Sequence, residues 1–191
     1  GDGAAVEAVR MDYDPERPQH QPGSHGRSTV CVSTQVGCAM ACVFCATGQQ
    51  GFTRDLTVGE ILAQVLLFSR ERPVGNVVFM GMGEPLANYT ATLTAVRWMI
   101  DPNGLDLRAR GITISTVGLR SGIRRLAKEG LQVGLSISLH APDDELRQSL
   151  IPTAGGTTID DLLKGARNYT EQTGRRVSFA YALIEGIIPA R

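Results

Sequence analysis

Between residues 58 and 66, apolar side chains recur at Val58, Ile61, Leu62, Val65 and Leu66, the i, i+3, i+4, i+7, i+8 spacing of a single helical face. Thr57 and Glu60 form a capping box ahead of that face, and Pro73 supplies a stop, so the pattern predicts a helix ending near Glu71. Similar patterns predict helices over Thr90–Ile100, Leu119–Lys128 closed by Gly130, Asp143–Leu150, and Thr158–Thr173 closed by Gly174. Between them lie short runs rich in β-branched and apolar residues: Thr29–Ser33, Asn76–Met80, Gly111–Thr116, Val133–Leu139 and Val177–Ile184. Strand and helix thus alternate five times. Helix-length crossovers imply a parallel sheet, and right-handed crossovers give either a doubly wound sheet or a barrel-like arc.

Residues 1–27 read differently. They form a polar arm in which Ala5–Met11 is a short strand or hairpin segment, followed by Pro18, His20, Pro22, Gly23, His25 and Gly26 in an irregular stretch. The expected organisation is an N-terminal arm with a short β segment, 1–27, and an α/β core, 28–191. In either parallel architecture ligands collect at the C-terminal ends of the strands. Here those ends carry a cysteine-rich loop, Gly81–Met82–Gly83–Glu84–Pro85, Ser115–Thr116–Val117–Gly118 and Ser138–Leu139–His140–Ala141.

Composition narrows the class. The 191 residues include 42% hydrophobic side chains and 19 Lys plus Arg against 19 Asp plus Glu, which excludes disordered, collagenous and coiled-coil chains. The length suits one domain with a real core. The N-terminus lacks a secretory pattern, and the apolar stretch near the C-terminus, Phe179–Ile184, is far shorter than the roughly 20 residues of a membrane span. No membrane partner and a cytoplasmic location are expected. Zero net charge argues against a general electrostatic hold on nucleic acid and leaves local patches open. Only Lys128 and Lys164 among the 19 cations are lysines; Arg108, Arg110, Arg120, Arg124, Arg125, Arg175 and Arg176 are candidate phosphate contacts, though interleaved acids favour a solvated surface.

All four cysteines, Cys31, Cys38, Cys42 and Cys45, are clustered. A disulfide scaffold would spread its cysteines to staple distant segments, so clustered thiols indicate metal or redox chemistry. Cys38, Cys42 and Cys45 have the spacing Cys-x3-Cys-x2-Cys, which satisfies three irons of a four-iron cluster and leaves the fourth open. Gly37, Gly48 and Gly51 let the backbone wrap closely around such a group. A zinc site using Cys31 as a fourth ligand is the alternative, although Cys31 precedes Cys38 by seven positions, wider than usual zinc pairs.

Residues 31–38, Cys-Val-Ser-Thr-Gln-Val-Gly-Cys, and 42–56, Cys-Val-Phe-Cys-Ala-Thr-Gly-Gln-Gln-Gly-Phe-Thr-Arg-Asp-Leu, closely resemble the radical S-adenosylmethionine (SAM) enzymes that methylate C2 of adenosine in 23S ribosomal RNA and transfer RNA. The resemblance runs from about Glu7 to about Ile184. It implies a partial (β/α)6 TIM-like barrel with about five of six strands present. It also implies a [4Fe-4S] cluster on Cys38, Cys42 and Cys45, SAM as cosubstrate, and contacts to SAM from Gly83, Glu84, Ser115, Ser138, Leu139 and His140. Cys31 would resolve a covalent enzyme–RNA intermediate through a transient disulfide with a methyl-carrying cysteine, and Glu7 would accept a proton. The implied partners are 23S rRNA, tRNA and an electron donor such as flavodoxin.

The sequence departs from that pattern at one end. No cysteine follows Cys45, and the sixth strand with its SAM-contacting asparagine and an N-terminal helical domain are not found. A truncated copy that does not complete methyl transfer alone is therefore expected. The alternatives are a radical SAM enzyme acting at adenosine C8, which Gln49–Gln50–Gly51–Phe52 disfavours, and a non-enzymatic zinc or RNA-binding module.

Overall fold

A computed structural model describes residues 2–12, 28–154 and 156–187. The irregular stretch of the arm from Pro18 to Gly26 and the chain end from Ile188 lie outside the described residues. In chain order the elements are β1 (Val9–Asp12), β2 (Ser28–Cys31), β3 (Gln35–Gly37), α1 (Ala46–Gln49), β4 (Phe52–Asp55), α2 (Val58–Ser69), β5 (Asn76–Phe79) and α3 (Tyr89–Ile100). They continue with β6 (Ile112–Thr116), α4 (Arg120–Ala127), β7 (Gly134–Ser138), α5 (Asp144–Leu150), α6 (Ile159–Thr173) and β8 (Val177–Ala180).

The main sheet has the order β1-β2-β5-β6-β7-β8. Every pairing from β2 to β8 is parallel, whereas β1 adds antiparallel to β2, Val9 opposite Cys31. The parallel strands follow chain order without reversal. A doubly wound sheet reverses at a switch point, so this order is the arc of a partial (β/α) barrel.

Local sequence accounts for the boundaries of α2 and α6 most directly. Thr57 and Glu60 make the expected capping box on α2, and Thr158 with Asp161 makes another on α6. Gly174 closes α6 in the left-handed conformation, φ 67°, a geometry that costs glycine nothing. In β6 the pattern Ile112-Thr113-Ile114-Ser115-Thr116 alternates buried and half-buried. Ile112 and Ile114 join the apolar core, while Ser115 faces the opposite, concave side. Val77, Leu135 and Ile137 are likewise buried in that core, each contributing about 1.5–3 kcal/mol relative to exposure.

The pattern over Val177–Ile184 predicts a longer strand than the four residues observed. The ladder to β7 ends with Ser138 opposite Ala180, followed by one bond from Leu139 N–H to the Ala180 carbonyl; with no ladder partner past that point, Tyr181–Ile184 leave the sheet. The small hairpin β3–β4, with its shift between Val36 and Gly37, and the single turn α1 were not anticipated by periodicity, because each is too short to repeat.

Candidate functional site

The cysteine loop is the segment between the two strands of the β3–β4 hairpin. Its neck is closed by the Cys38 N–H donating to the Gly51 carbonyl at 2.9 Å. Gly37 sits there at φ +75°, and a Cβ would run into the Gly51 carbonyl oxygen, so the neck tolerates no side chain. Inside the loop Cys45 N–H donates to Cys42 O at 3.1 Å, and Cys45 is the N-cap of α1. From behind, the end of α5 and the turn after it prop the loop. Val43 N–H donates to Leu150 O at 3.0 Å, and Thr153 Oγ1 donates to Met40 O at 2.8 Å. Cys42 packs in a small apolar cluster with Ala141, Leu150 and Ile151.

The loop closes over the C-terminal ends of β5, β6 and β7 to bound a cavity of about 300 Å³. Cys38, Cys42, Cys45, Gly83, Ser115, Ser138 and His140 all line it. Seven sequence-predicted site residues, distant in the chain, therefore meet at one place. The cavity wall also includes Phe44, Thr47, Met80 and Val117. Phe44 lies within the cysteine spacing and Met80 at the end of a predicted strand, but nothing in their type marked them as wall residues.

Four further candidates stand off the cavity. Glu84 is 2% exposed; its carboxylate accepts from Leu86 N–H at 2.9 Å and from Val117 N–H at 2.8 Å. Its neighbour Gly83 lines the cavity with φ +98°, where a Cβ would lie 2.6 Å from Gln35 Cβ. Leu139 packs on the main core. Cys31 is half-buried on β2 between Val9 and Val78. The Glu7 side chain is exposed, while its backbone carbonyl accepts from Ser33 Oγ at 2.6 Å and its N–H contacts Met82 Sδ at 3.4 Å, stitching it beside the loop after β5.

Burial dominates the electrostatics. It pushes the Cys42 thiol up to about 11, with Cys38 and Cys45 adding to the rise, and it also lifts Cys38 and Cys31. All four cysteines are free thiols. Burial raises Glu84 to about 7 against the pull of its backbone donors. For His140, burial first and the Arg147 charge second lower the pKa, favouring the neutral ring. His140 has φ 59°, and its Nδ1 accepts from Ala182 N–H at 3.0 Å. The proton of the neutral ring is therefore on Nε2. The Phe44 ring meets it edge to face, centroids 5.0 Å apart.

Among the described residues no three His, Cys, Asp or Glu side chains are grouped as one metal ion requires. A zinc site would need a fourth ligand, and Cys31, on β2, is not among the residues that line the cavity. A four-iron cluster places each thiolate on a different iron and needs a wider triangle. Three thiols at one cavity, with no fourth cysteine among its walls, fit that donor set.

The candidate phosphate-binding arginines do not form one patch. Arg108 and Arg110 stand by the N-terminal ends of β5 and β6, Arg120 is paired with Asp161, and Arg125 lies over the Tyr89 ring at 3.7 Å. Among the described residues no helix is long and apolar enough to cross a membrane.

Fold and site together define a class: a partial (β/α) barrel that presents three thiols at a strand-end cavity. The model of the radical SAM superfamily matches residues 32–189, and the chain belongs to that superfamily. It is 53% identical over 191 residues to the "Ribosomal RNA large subunit methyltransferase N" of Nitrosopumilus maritimus, covering 97% of this chain and 53% of that one. It is 52% identical to a "Probable dual-specificity RNA methyltransferase RlmN" of Frankia alni, covering 97% of this chain and 45% of that one. Among solved structures, a radical SAM methyltransferase from Sphaerobacter thermophilus superposes with a TM-score of 0.86 at 49% identity, over 95% of this chain and 52% of that one. Spore photoproduct lyase, at 16% identity and a TM-score of 0.56, shares the fold. The chain spans about half the length of the curated relatives it matches.

Proposed function

We propose that this chain is the cluster- and SAM-holding catalytic segment of a radical SAM RNA methyltransferase that acts on C2 of adenosine in 23S rRNA and tRNA. The observation that carries the reading is the meeting of Cys38, Cys42 and Cys45 with Gly83, Ser115, Ser138 and His140 around one cavity. Its identity of about one half to RNA methyltransferases supports the substrate class, and the motif over 31–38 and 42–56 supports position C2 over C8.

In this reading the three thiolates hold a [4Fe-4S] cluster, which when bound supplies an open iron for the amino and carboxylate groups of SAM and one electron for its cleavage. The rest falls to the protein. His140 offers its Nε2–H to an acceptor in the cavity, and Ser115 and Ser138 offer hydroxyls. Gly83 admits a ligand close to the backbone, and Phe44 and Met80 supply apolar walls that exclude water. Glu84 shapes the floor by fixing the loop after β6, and a contact to the SAM ammonium requires its carboxylate to turn from Leu86 or Val117. Leu139 braces the strand end next to Ser138. Cys31 and Glu7 are assigned as resolving thiol and proton acceptor, reached by the RNA substrate from the β1–β2 edge. The arm, 1–27, and the core, 28–191, are proposed as separate segments, and the location as cytoplasmic. Electrons come from a low-potential donor of the flavodoxin type.

Anaerobic reconstitution with iron and sulfide, followed by iron, sulfide and zinc analysis, tests the site. About four irons and four sulfides per chain are expected, lost in Cys42→Ala, with an electron paramagnetic resonance (EPR) signal that shifts on adding SAM. Zinc without iron, bound in a site that Cys42→Ala destroys, would overturn the reading. Methylated adenosine mapped at C8 in RNA treated with a complete homologous enzyme would overturn the C2 assignment alone.

A further inference from the structure

Arg147 is the largest fully buried side chain among the described residues, 1% exposed, and no part of the proposed function uses it. It projects from α5 beneath the cavity. Its Nη2 donates to the carbonyl of Val117, 2.5 Å, at the end of β6, and to the carbonyl of Ser138, 3.2 Å, at the end of β7. Both of those residues line the cavity together with Cys42. One turn further along, the Leu150 carbonyl holds the Val43 N–H, and Leu150 and Ile151 pack on Cys42. Arg147 is thus bound to the cavity floor and sits on the element that props the cysteine loop.

Its charge lacks a close counter-ion. Among the described residues no carboxylate lies within ion-pair distance of its guanidinium, and its Nε is buried without a hydrogen-bond partner. A buried cation held only by neutral carbonyls is costly. Burial lowers the pKa of Arg147, and the two carbonyls that hold it belong to residues lining the same cavity as Cys42, which places the guanidinium behind the three thiols. A fixed cation behind three thiolates favours whatever anionic group those thiolates hold, and favours it more as that group gains negative charge.

We propose that Arg147 is a positioning residue with two roles: it ties the ends of β6 and β7 together under the cavity, and it is the built-in counter-charge that eases one-electron reduction of the cluster held by Cys38, Cys42 and Cys45. The proposal rests on the cluster reading above. In the half-reaction one electron enters from a low-potential one-electron donor and no covalent bond changes, so the protein acts only through the field at the reduced state.

The test compares the wild-type chain with Arg147→Gln and Arg147→Lys after anaerobic reconstitution, by potentiometric titration with dithionite and mediators, followed by EPR. Loss of the charge in Arg147→Gln is expected to lower the ratio of reduced to oxidised cluster at a fixed potential by roughly tenfold, a shift of about 59 mV for a one-electron couple. Arg147→Lys keeps the charge and loses the forked contact to two carbonyls; it is expected to melt at a lower temperature yet titrate close to wild type. A purely structural role would lower the melting temperature of both variants and move neither titration. An unchanged titration in Arg147→Gln overturns the proposal, and so does a shift in Arg147→Lys as large as that in Arg147→Gln. If Arg147→Gln does not fold, Arg147→Met, which keeps the length of the stem and loses the charge, takes its place: a roughly tenfold fall in the reduced fraction supports the proposal and a titration like that of Arg147→Lys overturns it. Failure of the wild-type chain to take up iron would instead refute the cluster reading, before either variant is measured.

Discussion

The buried carboxylate of Glu84 accepts a hydrogen bond from the backbone N–H of Val117 at 2.8 Å, so the loop that ends β5 is tied to the loop that ends β6. Two of the strand ends that shape the cavity are thereby coupled through one ionisable side chain.

That coupling has a pH signature. Burial lifts Glu84 to about 7 from an ordinary 4.5, so between those values the folded state binds more protons than the unfolded one. The associated stability is fully present below about pH 4.5 and is lost as pH rises through about 7, a decline of roughly 3 kcal/mol. Glu84→Gln is expected to flatten this part of the curve, checked by urea unfolding of both proteins between about pH 5 and pH 8.

Gly37 makes the neck of the cysteine loop possible. Gly37→Ala adds a Cβ against the Gly51 carbonyl at φ +75°, which costs about 1–3 kcal/mol of local strain. The circular dichroism spectrum is expected to stay close to wild type while iron uptake falls several-fold. Unaltered uptake would show that the neck does not position the thiols.

The thiols differ in access. Cys38 and Cys42 are buried and Cys45 is half-buried, so iodoacetamide is expected to modify Cys45 before Cys38 and Cys42 in the native chain, with the order erased in urea, as read by peptide mass spectrometry. Because burial pushes Cys42 up to about 11 and metal ligation needs thiolates, loading releases protons. Iron uptake should therefore rise between about pH 7 and pH 9.

Away from the site, Tyr169 on α6 donates its hydroxyl to the Val133 carbonyl at 3.0 Å in a fully buried setting. Tyr169→Phe leaves that carbonyl without this donor and should cost about 1–2 kcal/mol, measured by thermal or urea unfolding. Cluster content should not change.

The sequence made the architecture legible where a pattern repeats. The 3.6-residue period of α2, the capping box at Thr57 and the β-branched runs of β5 and β6 specify their elements almost alone, and the strand ends follow from them. Seven of the cavity residues were readable because they lie at those ends or in the cysteine spacing. The orientation of Glu84 was not readable: the chain around it gives no sign that Leu86 and Val117 would claim its carboxylate. Arg147 was equally silent, since an arginine in the amphipathic Asp143–Leu150 run looks like a solvent-facing cation. Its burial arises only because α5 crosses beneath two strand ends distant in sequence.

The closed neck between Cys38 and Gly51 has a further consequence. Because backbone hydrogen bonds already join the two ends of the loop, the chain between them is a short ring whose closure entropy is met by the fold. Any group that the three thiols hold would then bind to a loop with little ordering left to do, so its affinity reflects the ligand bonds more than the folding of the chain around it.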